Sequence, residues 1–278
     1  MIQDKYGNYR YQGSTADNYV TFNDERANWR IVGLFDVDGE QRVKIVIKVQ
    51  IGRFSWDSSD SSVNSGTGIN QWGPSGTYEG ADLMRELNGD YLNSSLSENT
   101  LWYNGENNKK EGTFNKDYAL KTSAQELIGD ATWYTGSMPF VNTITLEEAY
   151  AYERGTQGKM CSSGSKCNDN VERTYTWTGK VGLIYSSDYG YASGNSNCAT
   201  NISYGNYYCD SNWIAGSGWT ITPASSPSYS DYEWDTRSNY MGNYTGNNAP
   251  CVCPAVYLLP DIQIKGSGTM SDPYVFAK

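Results

Sequence analysis

The chain has 278 residues, enough for one large domain or two small ones, and carries a formal charge of −10 at neutral pH. Only 19% of residues are charged and 38% hydrophobic, so its polarity comes from neutral Ser, Thr, Asn, Gly and Tyr; 24 Tyr and 9 Trp set it apart from disordered chains. The acidic balance argues against nucleic acid and anionic membranes as partners, because between Val181 and Pro260 the only basic residue is Arg237, against Asp188, Asp210, Asp231, Glu233 and Asp235.

Strands open the chain. Tyr19–Phe22 is short, and the alternating runs Trp29–Val37 and Arg42–Val49 flank Asp38-Gly39, a dipeptide suited to the positive φ angles of a tight hairpin turn. The string Asp36-x-Asp38-Gly39 shares the opening of a calcium loop but lacks the later ligands and the bidentate Glu, so it reads as a turn. Three helices follow. Ala81–Leu87 places Leu83, Met84 and Leu87 on one face and is expected to stop at Asn88-Gly89. Ser123-Ala-Gln-Glu126 reads as a capping box with Leu127, Ile128 and Ala131 inward, and Thr145-Leu-Glu-Glu148 as a second, running to Arg154 before Gly155. Long irregular stretches, Ser55 to Ser75 and Tyr91 to Thr113, carry Trp56, Trp72 and Trp102 as packing anchors.

Past Tyr175 the composition changes. Strands are expected over Trp177–Tyr185, Trp219–Thr222, Ala255–Leu259, Ile262–Ile264 and Tyr274–Phe276, separated by loops rich in Tyr, Ser, Asn, Gly and Asp. A hairpin, then helices, then an irregular strand-and-loop half make an α+β domain spanning 1–278, with a scaffold half at 1–175 and a ligand-binding half at 176–260.

Six cysteines permit 15 pairings. Two short loops stand out as disulfides, Cys161 to Cys167 and Cys198 to Cys209, while Cys251 and Cys253 sit two apart in a strand and stay unassigned. Zinc fits poorly, since there is no histidine and no C-x-x-C pair. No segment reaches the roughly 18 apolar residues of a membrane span, and Met1-Ile-Gln-Asp-Lys5 has no signal-peptide pattern. Because the cysteines have an extracellular look, the expectation is an exported chain at the cell surface whose leader has been removed, touching a membrane only through an absent N-terminal anchor.

The ordered set Trp29–Asp36, Ala81–Met84, Trp177–Ala192, Asn212–Ile214, Trp219–Pro223, Cys253–Leu258 and Gly266–Tyr274 resembles the exported domain near the C-terminus of many Gram-positive and gut-bacterial surface proteins. That family is similar to the C-type lectin-like fold in its formylglycine-generating-enzyme branch. The resemblance covers nearly the whole chain, and most relatives carry an Arg before the Pro that Cys253 precedes here. A narrower group of this fold class is the variable proteins of diversity-generating retroelements, in which adenine mutagenesis enriches a C-terminal stretch in Tyr, Ser, Asn, Asp, Gly and Cys. The same residue types crowd Ser225 to Cys253.

With no histidine, Ser-His-Asp and Cys-His nucleophile systems are excluded as usually built. A carboxylate pair such as Asp231 and Asp235 would need a spacing for glycoside chemistry that sequence does not show, and acidic residues in Tyr-rich loops are ordinarily solvated. The fold branch includes oxidases with paired cysteines, but the residues flanking Cys251 and Cys253 do not match that site. No Gly-rich phosphate loop joins a strand to a helix. The expected activity is therefore binding, without catalytic residues, metal or cofactor, to a protein or carbohydrate on another surface. Tyr229, Tyr232, Trp234, Arg237, Tyr240 and Tyr244 form the expected contact set, with Ser230, Asp231, Asn239 and Asn243 as polar partners, because Trp, Tyr and Arg dominate binding hot spots. So many aromatics with so few aliphatics are taken to exceed what a core accepts. The alternatives are a structural head of a pilin-like fibre and, less favoured, an oxidase or hydrolase.

Overall fold

A computed structural model describes the chain outside residues 24–27, 59–70, 77, 98, 105–109, 112–113, 115, 141–142, 157–172, 199–201, 203–204, 206–208, 226–231 and 278. Asp38 and Gly39 form the expected turn with φ of 56° and 84°. The Asp36 carboxylate accepts the Gly39 N–H at 3.0 Å, as in a local turn. The strands it joins, Trp29–Val37 and Glu40–Ile47, pair antiparallel in the middle of the larger sheet. Ala255–Tyr257 and then Val181–Gly182 extend that sheet on one side. Tyr19–Thr21, Tyr274–Ala277 and Gln263–Lys265 extend it on the other, the first two in parallel, which sets segments from the two ends of the chain side by side. A register shift between Ile31 and Gly33 lies where the strand Tyr9–Arg10 joins. A Cβ at residue 33 would sit 2.2 Å from the Tyr9 carbonyl oxygen, so only glycine admits that strand.

The second sheet runs in the order Met241–Thr245, Tyr232–Thr236, Gly218–Ser225, Cys251–Val252 and Gly52–Arg53. Gly218–Ser225 is buried at every position, and its pairing with Tyr232–Thr236 shifts register between Trp219 and Pro223, where proline cannot donate to the ladder. Short ladders pair Ala131–Tyr134 with Thr176–Gly179 and Trp102–Tyr103 with Lys110–Glu111. With four short α-helices among the described residues, the architecture is mixed α+β, mostly sheet, and has no closed barrel.

The helices match the sequence unevenly. Leu146–Glu153 has its expected capping box, the Thr145 hydroxyl accepting the Glu148 N–H and Glu148 accepting the Thr145 N–H. Asp82–Glu86 does not stop at Asn88-Gly89 but continues as a π-helical turn over Leu87–Tyr91. Asn88 permits this: its side chain donates to the Met84 and Val181 carbonyls and accepts the Val181 N–H, supplying partners the helix lacks. The helix expected at Ser123 is one turn, Thr122–Gln125, begun by Lys121 without a side-chain cap, and Ala131 belongs to a strand. A fourth helix, Ser186–Ala192, is buried at every position and so lacks the amphipathic signal that would have marked it.

One continuous cluster of buried side chains runs through both sheets. Eight of the nine tryptophans are buried, including Trp56, Trp72 and Trp102 at 0% exposure, so indole does much of the packing that aliphatics do elsewhere. Within the 232–245 region the aromatics divide: Trp234 joins the core, Tyr232 and Tyr240 are half-buried and Tyr244 stays exposed, so they are not all core.

Candidate functional site

Two groupings of polar and aromatic side chains stand out, one on the surface and one in the interior. The outer one is the hairpin formed by Tyr232–Thr236 and Met241–Thr245, which pair in continuous register from Tyr232↔Thr245 to Thr236↔Met241. Strand alternation puts Trp234 on the face opposite Asp235 and Tyr244; it is 0% exposed, donates from Nε1 to the Met138 carbonyl at 3.1 Å and packs beside Phe140. This corrects its place in the contact set: Trp234 anchors the hairpin rather than meeting a ligand.

Arg237 begins the turn and gathers the buried Asp235 and the more exposed Tyr240 and Tyr244 around its guanidinium. Its Nε donates to Asp235 Oδ2 at 3.1 Å and its Nη1 to the Tyr240 hydroxyl at 2.8 Å. The guanidinium carbon lies 4.6 Å from the Tyr244 ring centre and 5.2 Å from that of Tyr240. Tyr244 is exposed and meets the buried Trp219 edge-on at 6.5 Å. Burial raises the Asp235 carboxyl above its usual range against the pull of Arg237, whose own pKa rises because Asp235 and Tyr240 outweigh its partial burial.

The turn is held from behind. The Arg237 carbonyl accepts from Gly216 N at 3.2 Å and from the Tyr189 hydroxyl at 3.4 Å, and Arg237 N donates to the Tyr240 carbonyl. Beside it, Cys198 and Cys209 form the expected disulfide, with Cα atoms 4.8 Å apart. The loop it closes is stitched to the hairpin by Cys209 N to Asn239 O at 3.1 Å and Gly205 N to Met241 O at 3.0 Å.

Of the remaining expected residues, Tyr232 is half-buried and packs against the core, and Asn239 and Asn243 are half-buried on the turn and second strand. Tyr229, Ser230 and Asp231, like Cys161 and Cys167, lie outside the described residues. Cys251 and Cys253 are free thiols, and burial pushes the Cys253 thiol up to about 12, leaving it a poor nucleophile near neutral pH. Among the described residues no cluster of three or more metal-ligating side chains occurs.

The inner grouping was not legible in the sequence, because it joins residues remote along the chain. Asp188, at the start of helix Ser186–Ala192, accepts Tyr185 N at 3.0 Å, Lys44 Nζ at 2.7 Å and, through Oδ1, Arg10 Nη1 at 2.7 Å. Arg10 Nε reaches Asp4 at 2.8 Å, and its Nη2 has no hydrogen-bond partner. The side chains of Lys44, Asp188 and Asp4 are 0% exposed and that of Arg10 2%. Rings of Tyr185, Trp133 and Tyr257 surround the Lys44 amine at 4.0, 5.0 and 5.4 Å. Burial pulls the Lys44 amine down to about 8 although Asp188 opposes it. Asp188 is held at about 2, since Lys44 and Arg10 outweigh its burial. Next to it, Ser187 donates from its backbone N–H at 2.8 Å and from its hydroxyl to the buried Glu153, which burial raises above the ordinary carboxylate range.

Compared with protein-family models, curated proteins and solved structures, the chain matches none.

Proposed function

We propose that this chain is an exterior, surface-displayed ligand-binding domain of C-type lectin-like organisation, whose contact surface is the outward side of the 232–245 hairpin. The observation that carries this is the Tyr240–Arg237–Tyr244 stack, half-exposed to exposed and fixed from behind by Trp234, Tyr189 and the disulfide-closed loop. Side chains already ordered lose little entropy on binding, and Tyr and Arg supply broad contact with both apolar and hydrogen-bonding character. The lectin-like reading is supported by segments from the two ends of the chain meeting in one sheet, Tyr19–Thr21 beside Tyr274–Ala277, and by four strands of the second sheet lying in sequence between Val181–Gly182 and Ala255–Tyr257 of the first. Genetic diversification of Ser225 to Cys253, which the family resemblance implies, would vary the hairpin and leave the larger sheet untouched.

The test is binding of the labelled chain to glycan arrays and to whole bacterial and host cells, repeated with Tyr240→Ala/Tyr244→Ala. The reading expects saturable binding that weakens at least about ten-fold in the variant, the scale of a hot-spot loss. Failure of the native chain to bind any of these surfaces, or equal binding by the variant, contradicts it.

A further inference from the structure

Lys44 and Asp188 meet under conditions that ion pairs rarely experience. The amine and the carboxylate touch at 2.7 Å, both side chains have no exposed surface, and three aromatic rings close around the nitrogen. Dehydrating two full charges costs more than their attraction returns unless other groups complete their coordination. A nitrogen-to-oxygen contact of this length leaves the amine roughly 3.5 Å from the carboxyl carbon, the separation of a near-attack arrangement.

We propose that Lys44 and Asp188 condense into an intramolecular isopeptide bond, which covalently ties the central strand Glu40–Ile47 to the first turn of helix Ser186–Ala192. The step balances without any external reactant. Lys44 hands one proton to Asp188 Oδ2, converting the ion pair to amine and carboxylic acid, a state that the dry, ring-lined surroundings make easier to reach than water would. The amine lone pair attacks Cγ, and a second proton passes from nitrogen to the same oxygen. The Cγ–Oδ2 bond then breaks and that oxygen leaves as water. One hydrogen stays on nitrogen, and Oδ1 remains as the amide carbonyl.

Arg10 occupies the place such a step needs filled. Its Nη1 already donates to Oδ1, where negative charge develops in the tetrahedral intermediate, and the same guanidinium carries the unpartnered Nη2. Condensation removes one buried cation and one buried anion together, and Arg10 keeps Asp4 as its counterion. Glu153 is a positioning residue: it holds the backbone N–H and hydroxyl of Ser187, the neighbour of Asp188. The lowered basicity of Lys44 brings the neutral amine within reach near neutral pH.

The decisive experiment is the intact mass of the purified full chain after complete reduction of its disulfides. The proposal expects a deficit of about 18 Da, one water, relative to the sequence. Tryptic digestion should then yield a branched peptide joining Val43–Lys48, uncut after Lys44, to residues 181–237. A mass equal to that of the sequence overturns the proposal. So does a deficit located elsewhere, for instance as a succinimide at Asp38-Gly39, or one that persists in Lys44→Arg. None of these outcomes depends on ligand binding, so the cross-link stands or falls apart from the proposed function.

Discussion

Arg237 and Arg10 have the same chemical surroundings and opposite situations. Each guanidinium lies against two or more aromatic rings and is paired to carboxylate, Arg237 to Asp235 and Arg10 to Asp4 and Asp188. The side chain of Arg237 keeps 29% of its surface in solvent, whereas that of Arg10 keeps 2%. An arginine among tyrosines is thus a contact residue where the turn projects it and a structural ion where the sheets enclose it. Residue type alone does not separate the two; topology does.

The sharpest way to probe this contrast is to remove the anchors on each side of it. Trp234→Ala should cost about 3–5 kcal/mol, the range for truncating a large core aromatic, and chemical denaturation will read it. Asp188→Ala should cost a similar amount, about 3–5 kcal/mol, because it leaves Lys44 and Arg10 as buried cations without their shared partner. If either variant is as stable as the native chain, the interior has been misread. Replacing both Cys198 and Cys209 with Ser should lower stability by about 2–3 kcal/mol, the loop-closure entropy of a short ring, and loosen the turn that Asn239 and Met241 share with it.

Arg237→Ala is expected to fall between an interior and a surface substitution, at about 1–3 kcal/mol, since it strips the buried Asp235 of its hydrogen-bonding cation. Its pH dependence is diagnostic. The folded-state pKa of Asp235 is already raised by burial, so the native state binds the proton more tightly than the unfolded chain, and stability falls as pH climbs through the window above 3.8. Without Arg237 that window widens, so the variant should lose most at neutral pH and recover toward pH 4. A loss that is the same at both pH values would show that Asp235 is not the group responsible.

Local signals made much of the scaffold legible. Asp38-Gly39 specifies its own turn, and Thr145 with Glu148 specifies its own helix start, because each needs only neighbours in sequence. The buried tryptophans of the long loops follow from size and apolarity alone. What escaped was non-local. Helix Ser186–Ala192 begins where Asp188 accepts Tyr185 N and is buried on all sides, so neither length nor periodicity announces it. Asn88 looked like a stop and is instead a bridge to Val181. In the hairpin, Tyr240 and Tyr244 were recognisable as surface aromatics, but Trp234 was not separable from them until strand alternation assigned it a face.

The central claim is that a buried frame presents an outward tyrosine–arginine surface, and one paired measurement addresses it most directly. Tyr240→Ala/Tyr244→Ala and Trp234→Ala should be melted side by side and assayed on the same glycan and cell panels. The tyrosine pair should melt within a few degrees of the native chain, a loss of about 1 kcal/mol or less, yet bind at least about ten-fold more weakly, while Trp234→Ala should melt far lower, in keeping with its loss of about 3–5 kcal/mol. A tyrosine pair that unfolds like Trp234→Ala, or that retains native binding, would contradict the claim.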